Sequence, residues 1–197
     1  MKLLREILYK VEINSVIGNT SLSINKIEFD SRLISNGDMY IAITGVNVDG
    51  HSFISQAIQN GANCIVCEKT PDNKTDGIVY VNVKSSRKAL AIISSNYFDN
   101  PSSKLNLIGV TGTNGKTTIA TLLFDLYTEL EIKTGLISTV KISYDNKNFQ
   151  ANQTTPDSLS INRFLSEMVN SNVRYCFMEV SSHGIDQNRI DGLVFKG

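Results

Sequence analysis

The stretch Ile108-Gly-Val-Thr-Gly-Thr-Asn-Gly-Lys-Thr-Thr118 decides how this chain is read. Leu105 to Thr111 is an apolar run that predicts a strand, and Thr117 to Leu130 carries apolar residues at helical spacing. Between them, Thr111 to Thr118 is a glycine-bearing loop ending Gly-Lys-Thr. Strand, loop and helix in that order supply what a triphosphate needs. Glycines let backbone N–H groups turn inward, and the helix N-terminus adds favourable dipole charge. Lys116 is placed to reach the β- and γ-phosphates and the Thr117 hydroxyl to ligate Mg²⁺. The spacing departs from the common GxxxxGK[ST] pattern: Val110 stands five residues before Gly115, and the glycines fall at 109 and 112 instead. A glycine-rich turn without a ligand is the bland alternative. The co-occurrence of strand, GKT and amphipathic helix favours an NTP-binding domain of unspecified chemistry.

Downstream, Phe177-Met-Glu-Val-Ser-Ser-His-Gly184 is the second informative stretch. Tyr175 to Val180 reads as a strand, which puts Glu179 at its C-terminal end, where open α/β sheets place their ligands. A carboxylate there holds Mg²⁺ directly or through water. His183, one of two histidines in the chain, is a second candidate metal ligand; the competing reading is an ordinary surface histidine. Between the two stretches, Thr134 to Ser138 and Lys141 to Tyr144 read as strands. Pro156 to Val169 reads as a helix with Pro156 in its first turn. The alternation implies a parallel α/β sheet.

Upstream, Ile24 to Phe29, Met39 to Ile43, Cys64 to Cys67 and Ile78 to Val81 read as strands. Phe53, Ala57 and Ile58 suit one helix face, ended by Asn60-Gly61, and Ser85 to Phe98 predicts another helix. Asp99-Asn-Pro-Ser-Ser-Lys104 is the best linker candidate, so a domain boundary is expected near residue 104. Cys64-Ile-Val-Cys67 spells CxxC, but residues three apart on a strand face opposite ways, which favours two buried hydrophobes over a metal pair.

The whole 197-residue chain carries 19 basic and 19 acidic residues, which removes any global electrostatic case for nucleic acid or a membrane surface. No apolar run approaches the ~18 to 20 residues of a membrane span. The opening Met1 to Lys10 alternates apolar and charged residues at helical spacing and lacks the apolar core of a signal peptide, so a cytoplasmic location is expected.

Gly112-Thr-Asn-Gly-Lys-Thr-Thr118 resembles the ATP loop of the Mur ligases, including its glycine spacing. Asp30-Ser31-Arg32 followed by Gly37-Asp38 and Gly45-Val-Asn-Val-Asp-Gly-His51 resembles the branch that adds the third peptide residue. So do Gln153-Thr-Thr-Pro-Asp-Ser158 and Met178 to Gly184 with Gln187 and Arg189. The resemblance covers essentially the whole chain and implies a fold and a site. The fold would be a small N-terminal α/β uridine-binding domain, residues 1–104, and part of a P-loop-type parallel α/β ATP-binding domain, residues 105–197. Gly112, Thr113, Asn114, Gly115, Lys116, Thr117 and Thr118 would bind ATP. Phe29, Ser31, Val46, Asn47 and Val48 would line a uridine pocket. Gln153, Thr154, Thr155, Ser181, Gln187 and Arg189 would hold the muramoyl-dipeptide. Some family members carry Asn where Gln153 stands. Thr117, Glu179 and His183 would bind Mg²⁺, and Lys116, Glu179 and His183 would act in catalysis.

The implied reaction adds meso-diaminopimelate to UDP-MurNAc-L-Ala-D-Glu through an acyl phosphate, in peptidoglycan biosynthesis. An L-lysine-adding ligase and a non-catalytic UDP-sugar or nucleotide module are the alternatives. The partners implied are the UDP substrate, ATP and one amino acid, with no nucleic acid or membrane, and a monomer is expected. Family members continue past the position of Gly197 into the amine-selecting region, so the chain by itself is expected to lack ligase activity.

Overall fold

Period-two alternation builds the sheet that carries the phosphate-loop sequence. The computed structural model describes residues 1–45 and 48–197, which divide into two units, Met1–Tyr97 and Phe98–Gly197.

The first unit opens with β1 (Lys2–Leu3), a short α1 (Leu4–Ile7) and β2 (Ile13–Ile17). There follow β3 (Ser23–Ile24), β4 (Ile27–Glu28), β5 (Asp38–Ile41), α2 (Ile54–Gln59), β6 (Ala62–Cys67), β7 (Val79–Val83) and α3 (Ser86–Tyr97). Its main sheet has the order β2-β7-β6-β5-β4. Strands β4 to β7 pair in parallel, and β2 adds an antiparallel edge to β7. Ile65 and Cys67 pack with Tyr40, Tyr80 and the Ile54 and Ala57 side chains of α2. Cys64 and Val66 alternate with them and are equally buried. The two thiols of the CxxC stretch therefore behave as buried hydrophobes, and burial pushes both above the usual thiol range.

The second unit contains β8 (Asn106–Val110), α4 (Lys116–Glu129), β9 (Thr134–Ile137), β10 (Lys141–Tyr144), β11 (Lys147–Gln150), α5 (Ser158–Asn170), β12 (Tyr175–Glu179) and α6 (Ser182–Asp186). The sheet order is β11-β10-β9-β12-β8. Ile108, Leu136 and Phe177 point to one face, where Ala120, Leu123 and Tyr127 of α4 cover them. Leu107, Ile137, Cys176 and Met178 point to the other, against Ile161, Leu165 and Met168 of α5. A sheet buried on both faces explains why these strands read as unbroken apolar runs.

Several expectations need correction. The second sheet is mixed, not wholly parallel: β8, β12 and β9 are parallel, while β10 and β11 form an antiparallel hairpin. Asp145 and Asn146 make its two-residue turn, both with positive φ (48° and 60°), the conformation that matches strand twist in such turns. Pro156 lies just before the helix rather than in its first turn; Asp157 is the cap, its carboxylate accepting from Ser160 N. The opening ten residues hold only one helical turn, Leu4–Ile7. The stretch Asp99 to Lys104 belongs to the second unit: Pro101 and Ser102 are buried in a 3₁₀ turn packed against α5, and Ser102 Oγ accepts from Val194 N at 3.1 Å. Proline and serine look like a linker by composition, but here they build a packed 3₁₀ turn. Among the described residues, no helix is long and apolar enough to cross a membrane.

Candidate functional site

In the second unit, β8, β9 and β12 run in parallel, so the chain leaving each of them emerges at the same edge of the sheet. After β8 comes the loop Thr111 to Gly115. Gly112 and Gly115 take φ of +147° and +79°, a region that side chains other than glycine rarely adopt. Gly112, Thr113, Asn114 and Gly115 are exposed, Lys116 and Thr117 half-buried, and Thr118 exposed. The Lys116 ammonium folds over the loop, donating to the Gly112 carbonyl (2.7 Å) and lying 3.4 Å from that of Thr113. The 14-residue α4 starts at Lys116, so its unpaired N–H groups and dipole face the loop mouth.

Glu179 closes β12 and is only 1% exposed. Its Oε2 accepts from the Thr117 hydroxyl (3.0 Å) and the Thr139 hydroxyl (3.1 Å), and its Oε1 from Thr139 N (2.8 Å). Among the described residues no Lys or Arg makes an ion pair with it. Burying a carboxylate is costly without partners, and these three donors are the partners it has among the described residues. Its remaining lone pairs leave room for a cation as a further partner. One carboxylate beside hydroxyls is a hard-oxygen set that suits Mg²⁺, which keeps water and phosphate oxygens as its other ligands. Among the described residues no three His, Cys, Asp or Glu side chains cluster as a complete protein cage. His183 is exposed on α6, and no hydrogen bond ties its ring to Glu179 or Thr117, so the structure brings together two of the three expected metal ligands.

A second network abuts the same strand end. Thr155 is wholly buried; its hydroxyl donates to the Glu179 carbonyl (3.0 Å) and accepts from Ser181 N (2.9 Å). Ser181 caps α6 by accepting from Gly184 N (3.1 Å). Arg189 donates to Gln153 Oε1 (2.6 Å), to the Thr155 carbonyl and to Gln187 Oε1 (2.7 Å). Thr154 Oγ1 lies 3.1 Å from Thr139 Oγ1. All six residues expected to hold the muramoyl-dipeptide thus fall in two joined clusters. The sequence reading missed Thr139. Its available signal was two hydroxyl residues, Ser138-Thr139, directly after an apolar strand.

In the first unit the loops after β4 and β5 also leave one edge of a parallel sheet. Asp30 caps a 3₁₀ turn, and the Arg32 guanidinium paired with it holds its carboxyl below the usual range. Asp49 caps the next turn and accepts from His51 N. His51 Nε2 accepts from Glu68 N (2.9 Å), which leaves the ring proton on Nδ1, 2.6 Å from Asp49 Oδ1. Ser31 is buried, its hydroxyl donating to Gln56 Oε1 (2.9 Å). Phe29 and Val48 are exposed. Val46 and Asn47 lie outside the described residues.

Tyr40 links these two loops electrostatically. Its hydroxyl donates to the Gly50 carbonyl (2.9 Å), and burial, then the charges of Asp30 and Asp49, push its pKa up to about 12. A phenol raised in the folded state stabilises fully below its unfolded pKa of ~10 and loses that contribution as pH rises through the folded value. The thermal midpoint of the first unit is therefore expected to fall between about pH 10 and 12, and to fall less steeply in Tyr40→Phe. Melting curves followed by circular dichroism check this; identical pH slopes for both proteins would contradict it.

The fold and the strand-end arrangement define a P-loop-type α/β unit preceded by a smaller α/β unit. The Mur ligase family catalytic domain matches residues 23–98, and the Mur ligase middle domain matches residues 110–196; the chain belongs to the Mur ligase family. It is 50% identical over 195 residues to the UDP-N-acetylmuramoyl-L-alanyl-D-glutamate--2,6-diaminopimelate ligase of Cytophaga hutchinsonii, covering 98% of this chain and 40% of that protein. To the protein of that name from Bacteroides thetaiotaomicron it is 44% identical over 195 residues, covering 99% and 40%. The chain thus spans about 40% of the length of these curated relatives. A solved structure of a 2,6-diaminopimelate ligase superposes with TM-score 0.77 at 23% identity, over 98% of this chain and 38% of the other. MurF ligase from Thermotoga maritima in complex with ADP superposes with TM-score 0.54 at 25% identity, over 80% and 32%.

Proposed function

We propose that this chain supplies the UDP-substrate unit and the phosphate-loop part of an ATP-dependent ligase. That ligase joins meso-diaminopimelate to UDP-MurNAc-L-Ala-D-Glu in peptidoglycan synthesis. The observation that carries the reading is the buried Glu179, hydrogen-bonded to Thr117 at the phosphate-loop helix while its own carbonyl holds Thr155 in the second network. One strand end thereby serves a nucleotide side and a substrate side. The names of the relatives support diaminopimelate over lysine.

In such a reaction the γ-phosphoryl of ATP passes to the substrate's terminal carboxylate, and the amine then attacks the acyl carbon and expels phosphate. Mg²⁺ would supply charge neutralisation of the phosphates, held by Glu179 and Thr117. The chain's own part is positioning and electrostatics. The loop amides and Lys116 would orient the triphosphate. Gln153, Thr154, Thr155, Ser181, Gln187 and Arg189 would fix the muramoyl-dipeptide. The loops around Ser31 and Val48 would take the uridine, and the location would be the cytoplasm.

Calorimetric titration of the chain with UDP-MurNAc-L-Ala-D-Glu and, separately, with ATP and Mg²⁺ tests the proposal. Saturable binding of each, with neither displacing the other, is the expected result. Binding of the UDP compound without any ATP binding would leave a UDP-sugar module and remove the ligase reading.

A further inference from the structure

Among the described residues, two of the three donors on the Glu179 carboxylate belong to one residue, Thr139, in the loop after β9. Its N–H holds Oε1 at 2.8 Å, and its hydroxyl lies 3.1 Å from Oε2, the oxygen also met by Thr117 at 3.0 Å. A threonine hydroxyl has one proton and two lone pairs. The carboxylate is the stronger acceptor, so that proton goes to Glu179. The contact with Thr154, at 3.1 Å, then runs the other way, from the Thr154 hydroxyl to Thr139 Oγ1. A directed chain of Thr154, Thr139 and Glu179 results. It joins the loop before α5 to the first turn of α4.

We infer that Thr139 is a positioning residue that aims Glu179 Oε2 toward the phosphate loop for a divalent cation and ties that carboxylate to Thr154 on the substrate side. The inference rests on the nucleotide-site reading above and adds a residue to it. The backbone N–H alone holds only Oε1. Without the hydroxyl, the carboxylate is free to turn about that contact and Oε2 keeps Thr117 as its one protein partner. Thr139 is exposed in its loop, so its replacement leaves both core clusters intact.

The test uses Mn²⁺ as a paramagnetic probe, titrated by electron paramagnetic resonance into the chain with ADP present. Parent, Thr139→Val and Thr139→Ser are compared. Valine keeps the shape and removes the hydroxyl; serine keeps the hydroxyl. Thr139→Val is expected to weaken Mn²⁺ about tenfold, the scale of one hydrogen bond to a charged group, with Thr139→Ser within about twofold of the parent. Metal-free ADP affinity and the melting midpoint are expected to match in all three. Parent-like Mn²⁺ affinity in Thr139→Val would overturn the positioning role and leave the nucleotide site standing. Serine as weak as valine, or a loss of metal-free ADP binding in Thr139→Val, would also overturn it, pointing to loop packing instead. A parent chain that binds neither ADP nor Mn²⁺ would overturn both readings.

Discussion

Lys116→Ala is expected to weaken ATP binding by this chain about 10- to 100-fold while leaving affinity for UDP-MurNAc-L-Ala-D-Glu unchanged. The ammonium already sits at the loop mouth, donating to the Gly112 carbonyl at 2.7 Å. A phosphate entering there would exchange neutral carbonyl acceptors for anionic oxygens, and hydrogen bonds to charged partners are roughly twice as strong. The side chain is only half-buried and contributes to neither core cluster, so the variant is expected to fold like the parent. Lys116→Arg separates charge from shape: it keeps the cation but replaces a compact ammonium with a planar fork. Its affinity is expected to fall between the other two. Calorimetry with each ligand is the measurement, and undiminished ATP affinity in Lys116→Ala would remove the phosphate-loop assignment.

Gly50→Ala is expected to destabilise the first unit by about 2–3 kcal/mol, the upper range for overpacking against an unyielding neighbour. A Cβ built at Gly50 lies 2.7 Å from Ile43 N and 2.8 Å from Ile43 O. Both are backbone atoms in the segment leaving β5, so no side-chain rotation relieves the contact. Gly50 N also donates to Ile43 O at 2.9 Å, and its carbonyl accepts from Tyr40, so moving this backbone loosens two hydrogen bonds together. Gly77→Ala is the comparison: it carries a positive φ of 81° but a Cβ there meets nothing within 4 Å, so only backbone strain of about 1–2 kcal/mol is expected. Urea unfolding by circular dichroism reads both. A midpoint for Gly50→Ala equal to the parent's would show that the loop yields where the geometry says it does not.

The strands of the two sheets were legible because burial on both faces writes itself into local composition, as in Ala62–Cys67 and Tyr175–Glu179. Strand β2 was not legible. All five of its residues are exposed, and pairing with β7 rather than burial holds it in place. The β10–β11 hairpin carried a turn signal in Asp145-Asn146, but in Lys147–Gln150 Phe149 is the one apolar residue, so the strand offers no apolar alternation. The turn within Asp99 to Lys104 was not legible for a related reason. Proline and serine form a 3₁₀ turn as readily as a tether, and the packing against α5 is what the tertiary structure adds.

For the site, local chemistry was enough to nominate the phosphate loop and to set Glu179 at a strand end. Each depends on residues adjacent in the chain: glycines that permit positive φ, a lysine at a helix start, and a carboxylate where an apolar run stops. What Glu179 touches was decided by the tertiary structure alone. Thr117 is 62 residues away in the chain and Thr139 is 40 away. No local pattern encodes contacts at that separation. They follow from β8, β12 and β9 lying side by side in parallel register, which brings three distant strand ends to one edge and leaves a single buried carboxylate to be shared among the hydroxyls that meet there.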